Sequence, residues 1–268
     1  MDSTPVNGLT LYYEEEGAYA LDLVREACVQ SSRIMRDSWQ LNTPAECRAY
    51  IMTAWRQYLS HAAPRSWKII LAIYMPLMKN RFDTLWEVAG GWEQQFGKRH
   101  TFGVKPPHLL EAADKSIGER IFVKEEDVDA KVQQNTCHEL THAFSSHLKL
   151  PLWLKEGLAM VSVDKYAGKP TVMSETLDLL SNGTPDSNSR SYRGGRINDQ
   201  DGLVYEVVRG YWLTRYIEDT QPQLLLELLK RQYKHNMLEN KVADAYGMET
   251  DTFWQGINGM IGSHFKQV

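Results

Sequence analysis

The sequence predicts an α+β protein with a small sheet in an N-terminal lobe, residues 1–126, and a helical C-terminal lobe, residues 127–268. Alternating and helical hydrophobic patterns are mixed in the first part, whereas helical patterns without a convincing strand make up the second. The 268 residues are 43% hydrophobic and 24% charged, which is typical of a globular protein large enough to bury a sizeable core.

The strands of the N-terminal lobe are predicted from alternation and from aromatic content. Residues 8–16 alternate and carry aromatic side chains, which favours a first strand. Residues 18–39 have helical hydrophobic spacing and should form the helix that follows it. Residues 46–53 fit either a second strand or a helix, and residues 121–124 fit a short strand.

A long helical pattern covers residues 65–92. Pro76 should kink this helix and the pair Gly90-Gly91 should end it. Its most apolar part, residues 67–78, is about half as long as a membrane span and contains Lys and Pro. We therefore expect a buried helix and no membrane span.

The C-terminal lobe should consist of long helices joined by loops. Helices are predicted at residues 128–148, 152–164, 203–219, 221–235 and 250–265. Residues 181–202 are almost free of aliphatic side chains and rich in Gly, Ser, Asn and Asp. A loop of this length within a domain is often functional, so we expect a flexible flap.

Charge and cysteine content exclude some partners and compartments. The net charge of −4 gives no reason to expect a nucleic-acid partner, because phosphate binding needs a surplus of Lys and Arg. Cys28, Cys47 and Cys137 cannot all pair within one chain, which favours a reducing compartment. The N-terminus has no signal-peptide pattern. We expect a cytoplasmic protein if the sequence is complete, and a secreted one if a signal peptide was removed.

The segment from His138 to His142 reads His-Glu-Leu-Thr-His, an HExxH motif within a helical pattern. Residues four apart lie on one face of a helix, so the two imidazoles can bind one Zn²⁺ ion. Glu139 lies beside them, where it could act as a base. The alternative is a helix whose two histidines are on the surface or capped.

A second segment, PLWLKEGLA at residues 151–159, begins with a proline that can open another helix. Its Glu156 is a candidate third ligand. Three protein ligands leave the fourth position of zinc open to water, as catalytic sites require. Gly157 and Ala159 are small enough to let this helix approach the first one closely.

Together, HELTHAF and PLWLKEGLA resemble the gluzincin metallopeptidases, and most of all the peptidase MA-like branch of that clan. The specific similarity covers about residues 137–163. It implies a zincin-like fold with one zinc ion per chain, bound by His138, His142 and Glu156. It also implies that Glu139 is the general base that deprotonates the metal-activated water and then protonates the leaving amine.

The resemblance leaves two roles to assign. Family members often have an acidic residue four positions after the glutamate ligand, and this chain has Met160 there, so the residue that orients a ligand histidine is unassigned. Relatives commonly stabilise the oxyanion with a Tyr or His from a later helix. Of the candidates Tyr192, Tyr205 and Tyr211, we predict Tyr205. A tyrosine simply packed at a helix end is the alternative.

In this family an edge strand before the metal helix pairs with the substrate backbone. The matching segment here is residues 118–123. The alternative is an ordinary edge strand whose charged side chains prevent aggregation.

His147 lies one position too early for the third ligand of a metzincin, so we expect a surface histidine. Cys137 should be a buried thiol rather than a nucleophile.

We therefore predict a zinc metallopeptidase, an endopeptidase because no amine-binding motif is evident, with the two lobes forming one catalytic unit. Its partner would be a peptide or protein substrate. A pseudopeptidase that binds peptides or proteins without cutting them is the main alternative, although the presence of Glu139 favours an enzyme. A metal-dependent amidase acting on a non-peptide substrate is a further one.

Overall fold

The computed structural model describes residues 1–113, 117–182, 200–234 and 237–266. It contains a five-stranded sheet with helices on both of its faces. The predicted α+β class is confirmed. The strands are Asp2–Val6 (β1), Leu9–Tyr13 (β2), Glu46–Ile51 (β3), Gly91–Phe96 (β4) and Arg99–Val104 (β5).

The sheet is mixed, with the strand order β1-β2-β3-β5-β4. β2, β3 and β5 run parallel, whereas β1 and β4 are antiparallel to their neighbours. Asn7 and Gly8 both have positive φ angles, 46° and 86°, as the tight turn of a β-hairpin requires. The strand predicted at residues 8–16 is confirmed as β2, and β3 shows that residues 46–53 contain a strand.

The helices agree with the sequence pattern best in the C-terminal half. They are Leu21–Trp39 (α1), Trp55–Ala62 (α2), Arg65–Leu77 (α3), Lys79–Val88 (α4), Pro107–Ala113 (α5), Val128–Ser145 (α6), Leu152–Ala167 (α7), Leu177–Asn182 (α8), Gln200–Thr220 (α9), Pro222–Leu228 (α10), Met237–Ala245 (α11) and Phe253–Phe265 (α12). The helix predicted at residues 221–235 is shorter, because α10 ends at Leu228. The hairpin of β4 and β5, strand β1, and helices α2, α5, α8 and α11 were not predicted.

Two buried clusters lie on opposite faces of the sheet. Ala49 and Ile51 of β3 belong to a large core that also includes residues of α1, α6, α7, α9 and α12. Tyr50 and Met52, which alternate with them, belong to a smaller cluster with residues of α2. The sheet and the C-terminal helices therefore share one core.

The helix predicted at residues 65–92 differs from the structure in two ways. It is divided at Met78 into α3 and α4, and the last residues of the segment begin strand β4. None of the residues of α3 is buried, although we expected a buried helix. Only one side of α3, with Leu71 and Met75, packs against the smaller cluster, because the sheet and α2 cover no more of it.

The edge strand predicted at residues 118–123 is wrong. The segment begins as a 3₁₀ turn, Gly118–Arg120, and Phe122 forms a single antiparallel bridge with Val172. The backbone N–H of Val123 donates to the carbonyl of Thr171. These backbone groups are used by a neighbouring loop, so this segment does not join the sheet.

The predicted flap lies largely outside the described residues. α8 ends at Asn182 and α9 begins at Gln200, and residues 183–199, including Tyr192, are not described. The flap and any role of Tyr192 therefore remain predictions.

A reciprocal glycine contact brings α7 and α9 together. A Cβ atom on Gly157 would lie 2.2 Å from the carbonyl oxygen of Gly210, and one on Gly210 would lie 2.3 Å from that of Trp153. Gly157 therefore permits a close approach to α9, and not to α6 as the sequence suggested.

We expect the Gly157→Ala variant to lower the free energy of unfolding by about 2–4 kcal/mol, because the added methyl meets backbone that cannot rotate away. Gly259→Ala is the matched control, since its Cβ would meet nothing within 4 Å on helix α12. Urea unfolding of both variants measures the difference. Equal stabilities would contradict the proposed packing constraint.

Candidate metal centre

Helix α6 positions both histidines of the HExxH motif. Asp127 caps its N-terminus, where the carboxylate accepts hydrogen bonds from the backbone N–H groups of Asp129 and Ala130. His138 and His142 lie one turn apart, and their rings meet edge to face with centroids 4.6 Å apart. The local helix alone therefore holds two donor groups side by side.

Helix α7 supplies the third donor group, Glu156. The chain leaves α6 through a 3₁₀ turn and Lys149, which has a positive φ of 50°, and Pro151 precedes the first turn of α7. Leu154 and Leu158, on either side of Glu156, are fully buried in the large core. The packing of α7 therefore fixes the position of Glu156 opposite the histidines.

The three side chains converge on one point. The Nε2 atoms of His138 and His142 are 3.0 Å apart, and Oε2 of Glu156 lies 3.4 Å from the first and 3.5 Å from the second. Ligand atoms placed tetrahedrally at about 2.0–2.1 Å from Zn²⁺ would be roughly 3.4 Å apart. The donor set and its spacing therefore fit one zinc ion with a fourth position free.

The protonation states of His142 and Glu156 also suit a metal. Burial is the main cause that lowers the pKa of His142, to about 4, so this imidazole is neutral at pH 7. Burial alone would raise the pKa of Glu156, but the attraction of His142 in its protonated form and hydrogen bonds to both histidines hold it well below its usual value, so Glu156 is a carboxylate at pH 7. Burial lowers the pKa of His138, but the hydrogen bond to Glu156 and the charges of Glu156 and Glu139 together raise it more, so the net shift is upward. A carboxylate and imidazole nitrogens are ligands that zinc prefers.

No described side chain forms a hydrogen bond with the second ring nitrogen of His142, which would orient the ring toward a metal. Its Nδ1 atom is buried and has no hydrogen-bond partner among the described residues. Met160 is buried and lines the nearby cavity, in agreement with the missing acidic residue at this position. The residue that would orient a ligand histidine therefore remains unassigned.

Glu139 lies beside the donor cluster and against strand β4. Burial, opposed by the charges of His138 and Lys155, raises the pKa of its carboxyl to about 7. A Cβ atom on Gly91 would lie 2.4 Å from Cγ of Glu139, so only a glycine lets β4 approach this side chain. A carboxyl group that titrates near neutrality is suited to general-base chemistry.

The site contains a charged pair that was not predicted. Nζ of Lys155 lies 3.5 Å from Oε2 of Glu93 on β4, while Oε1 of Glu93 is buried without a hydrogen-bond partner among the described residues. Burial is the main cause that raises the pKa of Glu93. Lys155 lies within the PLWLKEGLA segment. Glu93 follows a stretch that was predicted as the end of a helix, and no motif in the sequence marks it as a site residue.

A cavity of about 640 Å³ opens beside His138 and Glu156. Its wall is mostly apolar and comes from both halves of the chain, including Leu85 and Val88 of α4, Phe122, Leu152, and Leu203 and Val207 of α9. The cavity could therefore hold an apolar group next to the candidate metal site.

The structure does not bring the predicted Tyr205 to the cluster. Leu203 and Val207, two positions before and after Tyr205, line the cavity. Residues two apart point to nearly opposite sides of a helix, so Tyr205 points away from the cavity. Its hydroxyl accepts a hydrogen bond from Asn258 of α12. Tyr211 instead donates its hydroxyl hydrogen to Asp164. Neither tyrosine is placed to contact a group bound at the cluster.

Two predictions outside the cluster are confirmed. His147 is exposed on the 3₁₀ turn after α6. Cys137 is buried, and burial raises the pKa of its thiol to about 12, which excludes a thiolate nucleophile at neutral pH.

Comparison with models of known protein families finds no match, and comparison with curated proteins finds no significant relative. The candidate site therefore depends on the residues of this chain and on their geometry. The three donor atoms of His138, His142 and Glu156, together with Glu139, are the observations from which a function can be argued.

Proposed function

We propose that this protein is a zinc-dependent peptidase that hydrolyses peptide bonds in a peptide or protein substrate. His138, His142 and Glu156 would bind one Zn²⁺ ion, and Glu139 would be the general base. The observation that carries this proposal is the tetrahedral spacing of the three donor atoms beside a buried carboxyl group. A zincin-like pair of lobes around the metal is part of the same proposal.

Zinc, when bound, would supply a Lewis acid that makes water more acidic and polarises the scissile carbonyl. Glu139 would accept the proton of the attacking water and then deliver it to the leaving nitrogen. The raised pKa of Glu139, about 7, supports both transfers, because a group with a pKa near the working pH gains and loses a proton readily.

The free edge of β4 offers a way to hold an extended substrate. β4 ends the strand order of the sheet, and among the described residues no strand pairs with its outer edge. Its first residue, Gly91, lies against Glu139. A peptide paired with this edge would be held through backbone groups, with little dependence on its sequence.

Selectivity would come from the apolar cavity beside His138 and Glu156. Side chains such as Val88, Leu152 and Val207 can contact an apolar group but cannot satisfy a charged one. We therefore expect cleavage sites to be flanked by an apolar residue.

A random peptide library incubated with zinc-loaded protein tests the proposal. Mass spectrometry should detect internal cleavages next to apolar residues, which a chelator stops and added zinc restores. The matched control is protein carrying both His138→Ala and His142→Ala. A zinc-loaded protein that cleaves no peptide would contradict the proposal in favour of a pseudopeptidase.

A further inference from the structure

Helix α3 exposes a continuous apolar surface. Six large side chains of this helix are between 39% and 76% exposed: Trp67, Ile69, Ile70, Ile73, Tyr74 and Leu77. Half of the large exposed hydrophobic side chains of the described residues therefore lie on one helix of 13 residues. An exposed patch of this kind marks a surface that binds something.

The packing of α3 leaves this patch free. Leu71 and Met75 pack against the smaller cluster, and the ring of Trp67 meets the edge of Phe96. Helical spacing places Ile69, Ile70, Ile73, Tyr74 and Leu77 in one arc of about 140° away from that contact. A helix that is apolar on nearly all sides is normally buried, so one face of α3 lacks its partner.

The chain segment that contains α3 carries only positive side chains, two of which, Arg48 and Lys79, pair with Glu46 and Asp83 just outside it. Residues 47–82 contain six Lys and Arg and no Asp or Glu, whereas the rest of the chain has 24 Lys and Arg against 34 Asp and Glu. Arg65 and Lys68 are exposed between Ile69 of the apolar arc and Met75 of the packed face, and no ion pair among the described residues uses them. The partner of this surface should therefore be both apolar and anionic.

We propose that α3 binds in the plane of a lipid bilayer that contains anionic lipid. Its 13 residues make a helix about 20 Å long, which is shorter than the roughly 30 Å apolar layer of a bilayer, so the helix would lie in the interface. No helix among the described residues is long and apolar enough to cross a membrane. Trp67 and Tyr74 are residue types that favour the level of the lipid headgroups.

A second copy of the chain fits this surface less well. A two-fold interface through α3 would place the same patch of each copy against the other. Such an interface would bring two segments of the same positive charge together, and residues 47–82 offer no carboxylate to neutralise the other copy. An anionic bilayer instead supplies both the apolar interior and the opposite charge.

Sedimentation with lipid vesicles tests this proposal. The protein should bind vesicles of phosphatidylglycerol and phosphatidylcholine, bind pure phosphatidylcholine at least about tenfold more weakly, and lose binding as salt increases. The double variant Ile73→Gln and Leu77→Gln should reduce the partition coefficient by about tenfold or more, because it removes two exposed apolar side chains from the interface. Circular dichroism should show that it remains folded, since both positions are exposed.

The charge requirement has its own pair of variants. Arg65→Gln with Lys68→Gln should reduce partitioning by about 25-fold, roughly fivefold for each cation. Lys230→Gln with Lys234→Gln, at exposed lysines elsewhere, is the matched control and should bind as the unchanged protein does. Absence of vesicle binding, equal binding to phosphatidylcholine alone, or a dimer that the Ile73 and Leu77 changes abolish without any vesicle binding would overturn the proposal.

Discussion

Replacing Glu139 by Gln is expected to reduce peptide hydrolysis by about 10²–10⁴-fold while the protein still binds one zinc ion. Gln has the same shape as Glu but cannot accept a proton from water. Because Glu139 is not one of the three converging ligands, its replacement should leave the zinc content unchanged. Turnover on a cleaved library peptide and elemental analysis of the same sample measure the two quantities.

The matched control for this variant is Glu218→Gln. Glu218 is a partly buried carboxylate that pairs with Lys165 in the last turn of α7, away from the cluster. It should keep nearly full activity. If Glu139→Gln hydrolysed peptides as fast as the unchanged protein, Glu139 would not be the base.

Replacing His142 by Ala is expected to remove zinc from the protein. His142 is neutral and buried, and its Nε2 lies 3.0 Å from that of His138 and 3.5 Å from Oε2 of Glu156, so its loss leaves only two donors. Zinc affinity should fall by more than about 100-fold, since losing even a residue that only orients a ligand can cost 10–100-fold. Elemental analysis after desalting and a chelator competition measure this loss.

The control is His147→Ala, at the exposed histidine that follows α6. This variant should keep one zinc ion per chain and should still gain thermal stability when zinc is added, whereas His142→Ala should not. Undiminished zinc in His142→Ala would exclude the proposed ligand set.

The raised pKa of His138 has a further consequence. A proton competes with the metal for this nitrogen, so zinc affinity in the same chelator competition should decrease as the pH falls through that raised pKa.

Local sequence was sufficient for α6 and for the start of α7. The capping carboxylate of Asp127, the spacing of the two histidines and the proline before α7 act within one or two helical turns. Residues this close in sequence have nearly the same geometry in any helix, so they can be predicted without knowing the fold. The burial of Cys137 and the exposure of His147 follow from the same helical periodicity.

The predictions from sequence were least accurate where the conformation or burial of a segment depends on other elements packed against it. The apolar composition of α3 predicted burial, but burial depends on whether another element covers the helix, and only the face with Leu71 and Met75 is covered. β4 has little alternation of its own, and its strand conformation is stabilised by pairing with β5. Residues 118–123 resemble a strand, yet their backbone groups pair with residues 171–173.

The residue types of the candidate site and the side-by-side position of His138 and His142 follow from local sequence, because one turn of helix sets their spacing. The contact of Glu156 with them depends on tertiary packing, since it requires α7 to pack between α6 and α9. Tertiary packing also brings Gly91 and Glu93, some 45 residues before the motif, to the site, and joins Tyr205 to α12 instead. Contacts between distant segments depend on how whole elements pack, and no local pattern in the chain encodes that packing.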